Sequence, residues 1–140
     1  MEELRLLTVR QPWASCIIRR CKTVENRTRP TPYRGLVAIL SGTKIFKDER
    51  AREAARRCFG DRADEYTAKS NDFARGGIIG VAELYDVVTE YPAGGWWFTG
   101  PFGYLLRNAR AIPFIPCNGY QNALVRCPPT IKMKILGHTH

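Results

Sequence analysis

Hydrophobic residues recur along this chain with two periods, one of strands and one of helices. Leu4 to Val9 (LRLLTV) is an apolar-rich run of strand length and predicts a first strand. Pro12 then suits the first turn of a short helix, which WASCIIRR continues. Ala14, Ile17, Ile18 and Cys21 share the buried face of that helix. Lys22 to Arg27 is predicted extended because Thr23 and Val24 are β-branched. Pro30-Thr31-Pro32 is a stiff connector that excludes helix. Tyr33 to Leu40 (YRGLVAIL) predicts the second strong strand, ended by Ser41-Gly42.

Asp48 to Phe59 carries the clearest helical pattern. Ala51, Ala54, Ala55, Cys58 and Phe59 fall at i, i+3, i+4, i+7 and i+8. Glu53 and Arg57, like Asp48 and Arg52, are i,i+4 partners, and Gly60 is a C-terminal stop. The charges of this helix read as a solvated face, so Arg50, Arg56 and Arg57 are not assigned to a ligand. Residues 61–69 suggest a second short helix, and Asn71 to Gly77 a loop. Gly77 to Val88 is almost continuously apolar, hence a central buried strand, broken by Glu83 and Asp86. Residues 90–101 form a glycine- and aromatic-rich loop. Phe102 to Ile112 is a further strand with a bend at Asn108-Ala109. Gln121 to Cys127 is the last, stopped by Pro128-Pro129.

Five or six short strands with two or three helices point to an α+β fold around a small mixed β-barrel. The 140 residues suit a single domain with one core, spanning about residues 4–128, with 129–140 as a C-terminal tail. No internal repeat or long linker divides the chain. It has no run of the ~20 apolar residues that a membrane span needs. The acidic start, MEELRLLTVR, lacks the apolar core of a secretory signal. The expectation is a soluble intracellular protein, cytoplasmic or nuclear, with no membrane partner.

Charge narrows the partner. The net charge of +9 favours a polyanion, most simply nucleic acid. Residues 1–34 hold eight basic and three acidic side chains, so more than half of the excess lies in the first quarter. That quarter also carries Arg10, Gln11, Trp13, Lys22, Glu25 and Arg27 in close succession. Arginine forks, a lysine point charge and flat aromatic faces are the groups that grip phosphates and stack bases.

Other chemistries lose ground. Cys16, Cys21, Cys58, Cys117 and Cys127 are odd in number and contain no C-x-x-C pair, so they read as reduced core thiols. The only histidines, His138 and His140, lie at the C-terminus, a poor place for a catalytic base or a zinc ligand. No metal or organic cofactor is indicated.

Three blocks in order, Val9-Arg10-Gln11-Pro12-Trp13-Ala14, Lys22-Thr23-Val24-Glu25-Asn26-Arg27 and Tyr33-Arg34-Gly35, resemble the ASCH domain of the PUA-like superfamily. Gly80-Val81-Ala82-Glu83-Leu84 and Gly100-Pro101-Phe102-Gly103-Tyr104 resemble its later blocks. The resemblance implies a PUA-like β-barrel, a role in binding RNA or another nucleic acid, and a cleft lined by the Lys22–Arg27 segment. Two positions depart from the family pattern. Arg20 stands where relatives have glycine, and is strained if that turn needs a positive φ. Leu40 stands where many relatives carry histidine. A distant branch is similar to N4-acetylcytidine amidohydrolase, with a Lys, Thr and Glu set. Lys22 matches its lysine, but Glu25 occupies the threonine's place.

The leading expectation is therefore an RNA- or nucleotide-binding module. Its contacts would be Arg10, Gln11, Trp13, Lys22, Arg27, Tyr33, Arg34, Ser41 and Lys44. Trp13 either stacks a base or anchors the core. The alternative is a metal-independent hydrolase of RNA or of a modified nucleoside, using Lys22 with Glu25 or Glu83. Glu83 interrupts a buried strand and so needs a cationic partner such as Lys22 or Arg27. A third possibility is a protein-interaction module using the Trp96–Phe102 loop, in which Trp96, Trp97 and Phe98 form either a lid or a plug.

Overall fold

A computed structural model describes residues 3–68, 73–90, 95–119 and 124–139. Parts of the expected helix over 61–69, of the loops around 71 and 91, and of the strand starting at Gln121 lie outside the described residues, as does His140.

The order of elements is β1 (Arg5–Gln11), α1 (Trp13–Ile18), β2 (Val24–Arg27), β3 (Gly35–Ile45), α2 (Glu49–Phe59), a 3-10 helix over Gly60–Thr67, β4 (Gly77–Val88), β5 (Phe102–Pro116), β6 (Val125–Arg126) and α3 (Pro129–Thr139). The six strands form one mixed sheet in the order β2-β5-β4-β3-β1-β6. β1 and β3 are parallel and the other pairs antiparallel. The expected barrel takes the form of a curled, half-barrel sheet whose edge strands are β2 and β6.

Strand alternation gives the central strands two buried faces. Leu7, Val9, Val37, Ile39, Ala82 and Leu84 face α1, which contributes Ala14 and Ile17. Leu4, Leu6, Ala38, Leu40, Ile78 and Val81 face the other way, against Ile135 of α3. Leu40 is thus a wholly buried core residue. A third cluster joins Cys16 of α1 to Ala54, Ala55 and Phe59 of α2, with Ala63, Tyr66 and Phe73. Gly80 lets α1 settle on the sheet, because a Cβ there would collide with Ile18 and with the Arg110 carbonyl.

Three expectations are corrected. β3 does not end at Ser41-Gly42 but continues to Ile45, paired with Gln11 beyond an irregularity in which β3 advances four residues against two of β1. Pro128-Pro129 follows the end of the last strand as expected, and it also opens a helix, since proline is tolerated in a first turn that needs no N–H donor. The C-terminal segment is that helix, held by fully buried Ile135, and not a tail. Asp48 caps α2 by accepting from Ala51 N at 2.8 Å, while Arg52 donates to the Lys47 carbonyl. Asn108 has φ 56° within β5, and the β4–β5 register shifts between Val81 and Glu83, which gives the expected bend its geometry.

Candidate functional site

The turn after α1 places the first charged group. Arg20 has φ 69°, and the Lys22 and Cys21 amides both return to the Cys16 carbonyl at 3.2 Å. This closes the helix and sends the chain back along its own side. The strain expected of an arginine at this position is real. Its side chain is tied down by a 2.6 Å bond from Nε to the Ala109 carbonyl.

Lys22 emerges from this turn almost sealed from solvent, its side chain 2% exposed. Its ammonium donates to the Val24 carbonyl and, at 2.7 Å, to Glu25 Oε1. It lies 5.8 Å from the Trp13 ring centroid. Alternation along β2 puts Glu25 and Arg27 on one face. Arg27 Nη2 reaches Glu25 Oε2 at 3.1 Å and the Thr8 carbonyl at 2.7 Å, while Arg27 Nε is buried without an acceptor. Burial alone would raise the Glu25 pKa. The charges of Lys22 and Arg27, and their hydrogen bonds, override it and hold the carboxyl below its ordinary value.

Asn26 fastens the opposite wall. Its Nδ2 donates to the Trp97 carbonyl at 2.9 Å, and its Oδ1 accepts from the amides of Thr99 (2.9 Å) and Gly100 (3.1 Å). The loop so held packs inward: Trp96 and Trp97 stand edge to face, 4.8 Å apart, each about 6 Å from Trp13. Arg50 and Arg57, one helical face of α2, lie over Trp96 at 3.9 and 4.1 Å. Arg50 also donates to the Trp96 carbonyl at 2.5 Å. Of the two readings of this loop, the contacts fit a wall or plug.

Between these walls is an open cavity of about 520 Å³. Four cations line it, Arg10, Lys22, Arg27 and Arg50, against two carboxylates, Glu25 and Asp48. Trp13, Trp97 and Phe46 supply flat apolar surface. Arg10 is exposed, with its guanidinium 5.3 Å from the Phe46 ring centroid. A second cavity, about 510 Å³, opens on the far side of Arg27 and is lined by Arg29, Pro30 and Tyr104 among others.

Of the residues expected to act together, Arg10, Trp13, Lys22, Glu25 and Arg27 do meet in the cavity. The others do not line it. Gln11 is fully buried and structural: its Oε1 accepts from Ser15 N and its Nε2 donates to Ser15 Oγ and the Ala74 carbonyl. Tyr33 OH donates to the Leu36 carbonyl, and Arg34 to the carbonyls of Thr31 and Tyr33. Ser41 is buried in β3, and Lys44 lies exposed near the end of that strand. Glu83 does not pair with Lys22 or Arg27 but with Arg107, at 3.0 Å, with Asn108 nearby. A bent β5 offers it that partner at the surface, so no buried charge needs neutralising.

Sequence reasoning missed Asn26 as a tether and Arg50 as a lining cation. Arg50 lies four residues before buried Ala54 and seven before Arg57, a spacing that places it beside the packed stripe. The reading of all five cysteines as reduced thiols is also corrected. Cys21 and Cys58 form a disulfide with Cα atoms 5.9 Å apart, while Cys16, Cys117 and Cys127 are free. Their separation of 37 residues hid a contact that only helix packing creates.

A family model described as the ASCH domain matches residues 7–99. The chain belongs to the ASCH domain family. It is 29% identical over 114 residues to activating signal cointegrator 1 of Homo sapiens, covering 76% of this chain. The mouse protein of that name is 31% identical over 86 residues. The chain spans only 19% and 14% of the lengths of these two relatives. Among solved structures it is similar in fold to the ASCH protein of Zymomonas mobilis, with a TM-score of 0.59, 16% identity and coverage of 96% of this chain and 94% of that one. A mutant of that protein aligns with a TM-score of 0.61, also at 16% identity, over 97% of this chain and 96% of that one. The ASCH match contains all but one of the residues that line the charged cavity; Gly100 lies just outside it. Among the described residues, no helix is long and apolar enough to cross a membrane.

Proposed function

We propose that this ASCH domain binds RNA or a nucleotide in the cavity between β2 and the 96–100 loop. The association of the ASCH family with RNA supports the reading. The observation that carries it is the meeting of four cations and three aromatic rings in one open space of about 520 Å³. That volume lies within the roughly 300–1,000 Å³ of ordinary ligand sites. Arg10 at the rim and Arg50 on α2 take phosphate oxygens, and a base lies against Trp13, Trp97 or Phe46. Lys22 is committed to Val24 and Glu25, so it acts as a fixed positive charge at the back of the site.

Fluorescence anisotropy with short single-stranded RNA, across a salt series, tests the reading. Affinity is expected to fall steeply with salt. Arg10→Ala combined with Arg50→Ala is expected to lower the logarithmic slope by about 0.7 for each phosphate no longer neutralised. Binding to no RNA, DNA or nucleotide at low salt overturns it.

A hydrolase is the second reading, favoured by a nearly sealed lysine hydrogen-bonded to a carboxylate in the cavity wall. Against it, both Glu25 oxygens already accept hydrogen bonds, so neither is poised as a base. Turnover of RNA or of an acylated nucleoside that Lys22→Ala abolishes, with the fold intact, would establish it.

A further inference from the structure

Three of the five cysteines converge where α1 and α2 pack together. Cys16 lies within α1, Cys21 just beyond its end and Cys58 near the end of α2. Their three sulfurs lie within 4.8 Å of one another. Packing of Ala54, Ala55 and Phe59 against α1 brings Cys58 to the other two. The Cys21–Cys58 pair is bonded, and Cys16 remains a free thiol, wholly buried, with its sulfur 3.7 Å from the Ala54 carbonyl.

A thiol sealed in apolar surroundings is a poor nucleophile, so the third sulfur is badly suited to thiol–disulfide exchange. It is well suited to coordination, because a metal ion supplies the charge that stabilises its thiolate. Among the described residues no histidine or carboxylate joins the three sulfurs. Hard ions such as Mg²⁺ and Ca²⁺ require oxygen ligands, and structural Zn²⁺ sites close with four. An all-sulfur set of three, one buried and two half-buried, suits a soft ion, copper(I) above all. The resulting complex is anionic, and the side chains whose charge acts on Cys16 are those of Lys22 and Arg19.

We propose that in the reduced chain Cys16, Cys21 and Cys58 form a three-thiolate site for copper(I), and that the Cys21–Cys58 disulfide is the closed form of that site. Opening it takes two electrons and two protons from a dithiol, which becomes a disulfide itself. Copper(I) then displaces the thiol protons. The metal and the disulfide therefore exclude each other.

The test uses the full chain, reduced under anaerobic conditions with a phosphine and titrated with copper(I) buffered by bicinchoninate. The reduced protein is expected to take one equivalent from the chelator and to gain a near-ultraviolet sulfur-to-copper absorption. Cys16→Ser, Cys21→Ser and Cys58→Ser each lose more than about a hundredfold in affinity, beyond the cost of losing a supporting hydrogen bond. A Cys117→Ser, Cys127→Ser double variant keeps full binding. Diamide-oxidised protein takes no copper until it is reduced. If Cys16→Ser fails to fold by circular dichroism, the half-buried Cys21 and Cys58 variants decide. Reduced, folded wild type that cannot compete with the chelator, or the loss of binding in the double variant, overturns the site. RNA binding is measured independently, so neither result depends on the other.

Discussion

Two carboxylates of this ASCH domain, Glu25 and Glu83, have the same immediate chemistry and different surroundings. Each is held by an arginine and a second donor, and each has its pKa lowered by those partners. Glu25 is 13% exposed, joined to a lysine that is 2% exposed and an arginine that is 22% exposed. Glu83 is 36% exposed and pairs with an arginine that is 55% exposed. Water screens the second pair and hardly reaches the first. An ion pair therefore has structural weight here only where its partners are left with no alternative solvent.

The strongest way to break this comparison is to remove each carboxylate. Glu25→Ala leaves Lys22 buried without its counter-ion and is expected to cost about 3–5 kcal/mol in urea unfolding. Glu83→Ala is expected to leave the unfolding midpoint unchanged within error. Equal losses would show that burial is not what separates the two sites.

Function should separate them too. Trp97→Ala is expected to weaken RNA binding by ~1–3 kcal/mol if the ring stacks a base, read by anisotropy at fixed salt. Arg107→Ala, which strips the partner from Glu83, should leave that affinity unchanged. A reversed order would move the nucleic-acid interface to the β4–β5 face.

The smallest expected effect is in the acid limb of stability. The Glu25 pKa is lowered in the folded chain, so the unfolded chain binds the proton more tightly. Its contribution is complete above the ordinary glutamate range, near 4.5, and is lost as pH falls through the folded value. Thermal unfolding of the wild type should decline through that window, and in Glu25→Gln this component of the decline should be absent. An unchanged acid limb would show that Glu25 is not what titrates.

How legible the site was depends on range. Arg10, Trp13, Lys22, Glu25 and Arg27 lie within eighteen residues, and a single strand–helix–strand path brings them together. Gln11 shares that stretch and its polarity, yet it serves the backbone of α1. Residue type alone does not tell a ligand donor from a capping group, because both need the same atoms. Glu83 was misplaced for a related reason: an acid in an apolar strand looks buried until the partner strand is known to bend at Asn108.

The chain by itself determined the existence of most strands and of the first two helices, though not of α3, and it showed which faces are apolar and where cationic and aromatic side chains concentrate, since those follow from local spacing. The resemblance to relatives that carry glycine at position 20 raised the question of a positive φ there, and the structure answers it with φ 69° at Arg20. Only the tertiary structure decided that Asn26 would tie down the tryptophan loop, that Arg50 would turn toward the cavity, and that Cys58 would find Cys21. Those contacts join segments far apart in sequence. Their partners are chosen by the packing of α1, α2 and the curled sheet, which no local pattern encodes.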